Sequence, residues 1–235
     1  MAAAASGGDD RAGSFPAVCR AFSLLAPLLA VLGLSACTAA LPRALWPPWA
    51  TGAVEGRVLL EPGGAQTADP LQVVVYLEPL DGRSRVRAPA RAGTIRRADG
   101  RFDPEFLTIA RGQEVRFSNE EGTYHRIFSS SAGNEFDVGL LKTGEARDVA
   151  LDHTGVVRVY CKLHPWESAV IFVAPTPHFQ TLEPPGRYTI AGVPPGDYRL
   201  ATWGDAVQSA DDIVTVRPRR ATSVELALEH RGADR

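Results

Sequence analysis

Residues 156 to 174 read VVRVYCKLHPWESAVIFVA, two apolar runs joined by a short polar loop that carries a cysteine, a histidine and a glutamate. In the first run Val157, Val159 and Cys161 fall on one face and Val156, Arg158 and Tyr160 on the other, the alternation of a half-buried strand. Cys161 is therefore expected to point inward at a strand end. His164 follows in the loop, and Pro165, which has no amide hydrogen, turns the chain out of ladder pairing before the second run. A thiol at a strand end and an imidazole in the next loop can face one point from two sides. A further nitrogen donor is available upstream in EGTYHRIFSS, residues 121 to 130, as His125.

The same alternation dominates the chain beyond its N-terminal segment, and no window of helical length carries a 3.6-residue pattern. Strands are expected at 53–60, 71–78, 106–110, 114–119, 124–129, 146–151, 156–161, 169–174, 186–191, 197–203, 212–217 and 222–228. Turn signals such as ARGQ, KTGE, HTG and PPGD separate them, which predicts an all-β fold of sandwich type. Residues 81–103, DGRSRVRAPARAGTIRRADGRFD, are rich in arginine and poor in apolar side chains and read as an exposed basic connection.

A thiolate with two imidazoles is a soft, trigonal donor set that suits copper, completed by a weak axial ligand. In that order of donors, residues 104–174, with FLTIARGQEVRFSNEEGTYH followed by VGLLKTGEARDVALDHTGVVRVYCKLHPWESAVIFV, resemble the cupredoxins of the plastocyanin and amicyanin type. The resemblance implies His125, Cys161 and His164 as equatorial ligands of one copper ion that cycles between Cu(I) and Cu(II). The CKLHPWE loop is similar to amicyanin's, with Glu167 where that family has methionine, and Met1 is the sole methionine of the chain. A plastocyanin-type loop would place its axial ligand at Ala169, which has no donor atom. Glu167 reads either as axial ligand or as a solvated loop charge. Arg126 stands where cupredoxins commonly carry an asparagine that ties the ligand loops together. The resemblance also implies that the His164 edge is the electron port, with Pro165 and Trp166 as an apolar docking rim.

The flanks resemble a second family. VEGRVLLEPGG and LQVVVYLEP before the central module, and GRYTIAGVPPGDYRLATWGD after it, are similar to carboxypeptidase-regulatory-like (transthyretin-like) β-sandwiches, in which the PPG turn closes a hairpin. The implied module is discontinuous, built from residues 53–80 and 183–229. The combination resembles exported methylamine-utilisation-like proteins.

At the N-terminus, Arg11 and Arg20 precede the apolar run AFSLLAPLLAVLGL and then SAC. This reads as a signal peptide over 1–36. LSAC resembles a bacterial lipobox, which implies acylation at Cys37, a tether over 37–52, and an exported chain anchored by lipid to a bacterial membrane, periplasmic or at the cell surface. Of the three cysteines, Cys19 then leaves with the signal and Cys37 carries lipid, so Cys161 has no partner. An unpaired thiol outside the cytoplasm calls for a reason such as metal ligation. The net charge of −2 and the absence of a broad basic face exclude a nucleic-acid binder from expectation. No nucleophile–base pair or paired carboxylates are arranged for hydrolysis, so an enzyme is not expected. The expected partners are the membrane and a transient redox or copper-exchange protein, with the oligomeric state open. Copper storage, delivery or sensing, and a metal-free surface-binding module, are the alternative functions.

Overall fold

The computed structural model describes residues 50–61, 71–82 and 88–231. The signal segment, Cys37 and most of the tether lie outside the described residues. Among the described residues every regular element is a strand. The chain runs through β1 (Gly52–Leu60), β2 (Val73–Pro79), β3 (Arg91–Ala98), β4 (Arg101–Asp103), β5 (Phe106–Ala110), β6 (Gln113–Asn119), β7 (His125–Ser129) and β8 (Phe136–Leu141). It continues through β9 (Ala146–Leu151), β10 (Gly155–Cys161), β11 (Ser168–Ala174), β12 (Phe179–Leu182), β13 (Gly186–Val193), β14 (Gly196–Trp203), β15 (Asp211–Val216) and β16 (Ala221–Leu228).

The all-β expectation holds. The central sandwich packs a five-stranded sheet, β5-β11-β10-β7-β8, on a four-stranded one, β4-β3-β6-β9. Inward side chains from both sheets, among them Ile95, Phe117, Ile127, Leu141, Val157, Val159 and Ile171, form one core with essentially no exposure. A second sandwich is assembled from the two ends of the chain, with sheets β13-β1-β16 and β12-β2-β14-β15 around Val54, Val58, Leu77, Leu200 and Leu226. Its β1 pairs parallel to β16, so the first described strand is held by the last. The central segment is an insertion between β2 and β12. The two sandwiches meet at an aromatic seam: Trp203 stacks on Phe172 at 5.0 Å and on Phe106 at 5.9 Å, and Tyr76 lies 5.3 Å from Phe172.

Three expectations are corrected. Within the expected connection 81–103, residues 91–103 are not a solvated loop, because β3 pairs with β6 and turns back into β4 within the central sandwich. Ile95, Arg97 and Phe102 point inward on that hairpin and are fully buried, while Arg96 between them faces solvent and pairs with Asp103. The two-residue turn, Asp99 at φ 52° and Gly100 at φ 75°, has the left-handed backbone of a tight hairpin. Secondly, β13 and β14 do not form a hairpin: β13 pairs with β1 and β14 with β2 and β15, so the PPG segment carries the chain from one sheet to the other. The Tyr198 hydroxyl fixes that corner by donating to the Pro194 carbonyl at 2.8 Å. Thirdly, β8 and β12 form where no strand is expected, and β12 pairs with β2, so residues before 183 belong to the second sandwich.

Candidate metal centre

The expected donors are brought together at one end of the central sandwich. His125 begins β7, and the alternation of that strand turns His125, Ile127 and Ser129 inward. Cys161 ends β10, where it pairs with Ile127. Beyond it the Glu167 amide donates to the His164 carbonyl at 3.0 Å. The resulting turn has Pro165 at its second position, where the ring sets the required φ, and it delivers His164 and Glu167 to the same point. Cys161 Sγ lies 3.5 Å from His125 Nδ1 and 3.6 Å from His164 Nδ1. Glu167 Oε2 lies 3.7 Å from His125 Nδ1 and 3.6 Å from His164 Nδ1. One donor atom from each residue thus falls within 4.8 Å of every other.

His125, Cys161 and Glu167 are buried, at 0%, 1% and 6% exposure. Glu167 is therefore not a solvated loop charge. His164 alone of the four reaches the surface, beside Trp166, which is 77% exposed. The exposed side chains of Tyr124 and Leu163 are further apolar surface on the two loops that bear the histidines.

The cluster fits a metal ion. Donors held at about 2.0–2.3 Å from one ion stand roughly 3.3–3.8 Å apart in a four-coordinate site, and the four distances from Cys161 Sγ and Glu167 Oε2 to the two histidine nitrogens fall in that range. Glu167 Oε2 is buried without a hydrogen-bond partner. A carboxylate oxygen in that position, facing a sulfur and two imidazole nitrogens, is satisfied by a cation among them.

The surroundings prepare His125 as a ligand. Its Nε2 lies 2.9 Å from Glu121 Oε2 and 3.2 Å from Thr123 Oγ1, while Arg97 Nε donates to its Nδ1 at 3.4 Å. A carboxylate only accepts and a guanidinium only donates, so the ring hydrogen sits on Nε2 and the Nδ1 lone pair faces the cluster. Burial and then Arg97 push the His125 imidazole below its ordinary value, against the opposing effect of the hydrogen bond it donates to Glu121. Burial works against ionisation of Glu121, yet the Gly100 amide, Arg97 and His125 together hold its carboxyl below its ordinary value. Asn119 shapes the loop between them. Its side-chain amide donates to the Thr123 and Leu141 carbonyls at 2.7 and 3.0 Å, and its oxygen accepts the Glu121 amide at 2.9 Å.

Arg126 takes no part in the cluster; it faces solvent and pairs with Asp137 at 2.9 Å, and Asp137 also accepts from Lys162 Nζ at 2.9 Å. The Lys162 amide donates to the Arg126 carbonyl at 2.9 Å. The two ligand segments are thus tied by backbone and by a shared aspartate, with no asparagine after His125.

Sequence reasoning missed Arg97, Glu121 and Asn119. Arg97 was legible in TIRRADGRFD: an Asp-Gly turn between alternating runs is a hairpin signal, and period two puts Arg97 on the face of Ile95. Its place beside Glu167, in the loop between β10 and β11, comes from the packing of the sheet that holds β3 against the sheet that holds those strands, which no local pattern announces.

Fold and site together define an all-β protein with a buried His, Cys, His and Glu cluster able to hold one metal ion. No protein-family model matches the chain, and no curated protein does. Among solved structures it is similar to a novel purple cupredoxin from Nitrosopumilus maritimus, at 24% identity over 35% of this chain and 99% of that one, with a TM-score of 0.32. It is also similar to a reduced amicyanin variant, at 17% identity over 37% of this chain and 85% of that one, TM-score 0.34. A second amicyanin variant, in its Cu(I) form, matches at 18% identity over 35% and 81%, TM-score 0.33.

Proposed function

We propose that this chain binds one copper ion through His125, Cys161 and His164, with Glu167 Oε2 in the axial position, and passes single electrons to and from a transient protein partner. The observation that carries the reading is the convergence of those four donor atoms within 4.8 Å of one another. Copper is favoured over other ions because the set pairs one thiolate with two imidazoles and a fourth donor of different hardness. When bound, the ion supplies the one-electron step between Cu(I) and Cu(II).

The chain's own residues do the rest. The strand ends of β7 and β10 fix His125 and Cys161 in the core, so the donor spacing changes little between oxidation states. Glu167 brings a hard, charged donor that favours Cu(II) and lowers the potential relative to a thioether. His164 links the buried cluster to solvent, and Trp166, Leu163 and Tyr124 offer the apolar surface on which a partner docks briefly. Acylation at Cys37, outside the described residues, would hold the protein at a membrane.

The test is to load the purified domain with Cu(II) and record visible absorption and electron paramagnetic resonance. An intense thiolate-to-copper band, lost in Cys161→Ser, supports the proposal. Tight binding without reversible reduction would transfer the site to storage or delivery, and failure to bind one equivalent would overturn it.

A further inference from the structure

Among the described residues Arg97 is the largest fully buried side chain, and it lies against the donor cluster. Its Nη2 donates to Glu167 Oε1 at 2.6 Å and reaches Glu121 Oε1 at 3.3 Å, its Nε donates to His125 Nδ1, and its guanidinium carbon lies 4.8 Å from the ring centre of Phe102, its cross-strand neighbour. Its Nη1 is buried with no hydrogen-bond partner. Burying two ions costs several kcal/mol for each, and a buried pair is often no more stabilising than apolar side chains of the same volume. A guanidinium with an unsatisfied nitrogen is a poor choice for stability alone. Its shortest contact is to Glu167, through the oxygen that does not face the other donors.

We propose, on the basis of the copper reading above, that Arg97 is a positioning residue for the metal centre. It clamps Oε1 of Glu167, so that the carboxylate presents Oε2 alone to the ion, and its fixed positive charge cancels the negative charge that Glu167 introduces. The ion, its four donors and Arg97 would then carry the net charge of a His, Cys and His site: with Cu(II), the thiolate, the carboxylate and Arg97 sum to one positive charge, and with Cu(I) to zero. Glu121, outside the donor set, lowers every sum by one and leaves the difference made by Arg97 unchanged. Without Arg97 the sums fall to zero and to one negative charge, which penalises the reduced form in a buried site. The weak bond from Arg97 Nε to His125 Nδ1 uses the lone pair that His125 would offer a metal, so that contact would be given up on metal binding, while the shorter clamp on Glu167 Oε1 would stay in place.

The experiment measures copper affinity in both oxidation states, the reduction potential and the paramagnetic resonance spectrum of wild type, Arg97→Met, Arg97→Lys, Glu167→Gln and the double variant Arg97→Met/Glu167→Gln. Arg97→Met is expected to raise the ratio of Cu(II) to Cu(I) affinity by about tenfold, a fall of about 59 mV for a one-electron couple. Arg97→Lys, which keeps the charge, should restore the ratio to within about threefold of wild type but alter the spectrum, because an ammonium does not hold the carboxylate as a planar fork does. The double variant removes the pair together and leaves no orphan charge, so it reports even where Arg97→Met does not fold; its potential should lie below that of Glu167→Gln. Equal potentials in those two variants, or a lysine variant shifted as far as the methionine one, would overturn the inference. A wild-type protein that binds no copper refutes instead the reading on which it rests.

Discussion

His178 sits in the passage from β11 to β12, where the chain crosses from one sandwich to the other. It is buried, and burial alone pushes its imidazole down to about 4 from an ordinary 6.5. In the unfolded chain the ring titrates near its ordinary value. Between the two pH values the unfolded chain therefore holds a proton that the folded chain refuses, and stability rises with pH across this window. The full contribution is present above about 6.5 and is lost as pH falls towards 4. A gap of about 2.5 pH units, at about 1.36 kcal/mol each, gives a loss of about 3 kcal/mol. The assay is urea unfolding of wild type and His178→Gln from about pH 7 to about pH 4. The glutamine does not titrate, so the difference between the proteins cancels the other carboxylates and His125 and isolates this ring. The difference should change by about 3 kcal/mol over the window, with wild type losing more as the solution is acidified. A difference that stays constant with pH would refute the reasoning.

Glu121→Ala should lower copper affinity by about 10- to 100-fold, measured by competition with a chelator, because the His125 ring loses the acceptor that fixes its orientation. Gly100→Ala should cost about 1 kcal/mol in urea unfolding: its φ is 75°, and an added Cβ meets nothing within 4 Å, so the penalty is one of backbone conformation alone. Trp203→Ala should destabilise the fold by about 2–3 kcal/mol, since two stacked contacts at the seam are lost from a half-buried ring. The copper spectrum should be unchanged, because the ring contacts of Trp203 are to Phe106 and Phe172 and not to any of the four donor residues.

The His125, Cys161, His164 and Glu167 cluster was legible because each part of it has a local signature. Alternation aimed Cys161 inward, Pro165 announced the turn that carries His164 and Glu167, and the lack of any methionine beyond Met1 drew notice to Glu167. The charge environment was not legible. Arg97 lies in a run of arginines whose composition resembles that of a solvated loop, and only its parity with Ile95 separates it from Arg96, which does face water. Parity shows which side a residue takes; it does not show that a carboxylate from another sheet waits there. The same limit explains the PPG segment, whose local turn chemistry fits a hairpin equally well, while the decision to change sheets is made by distant partners, β1 for one strand and β2 for the next.

The nesting of one sandwich inside the other also sets an order of assembly. As the chain emerges from its N-terminus, β1 and β2 are made first but cannot complete a core, since β1 needs β13 and β16 and β2 needs β12 and β14. The inserted module, by contrast, has all of its strands as soon as β11 has been made. Long-range pairings form late because their loop-closure cost is met before any contact rewards it, so the inserted module should mature while the outer sandwich is still two waiting strands. It then brings β2 and β12 close together, acting as the clasp that lets the ends of the chain find each other.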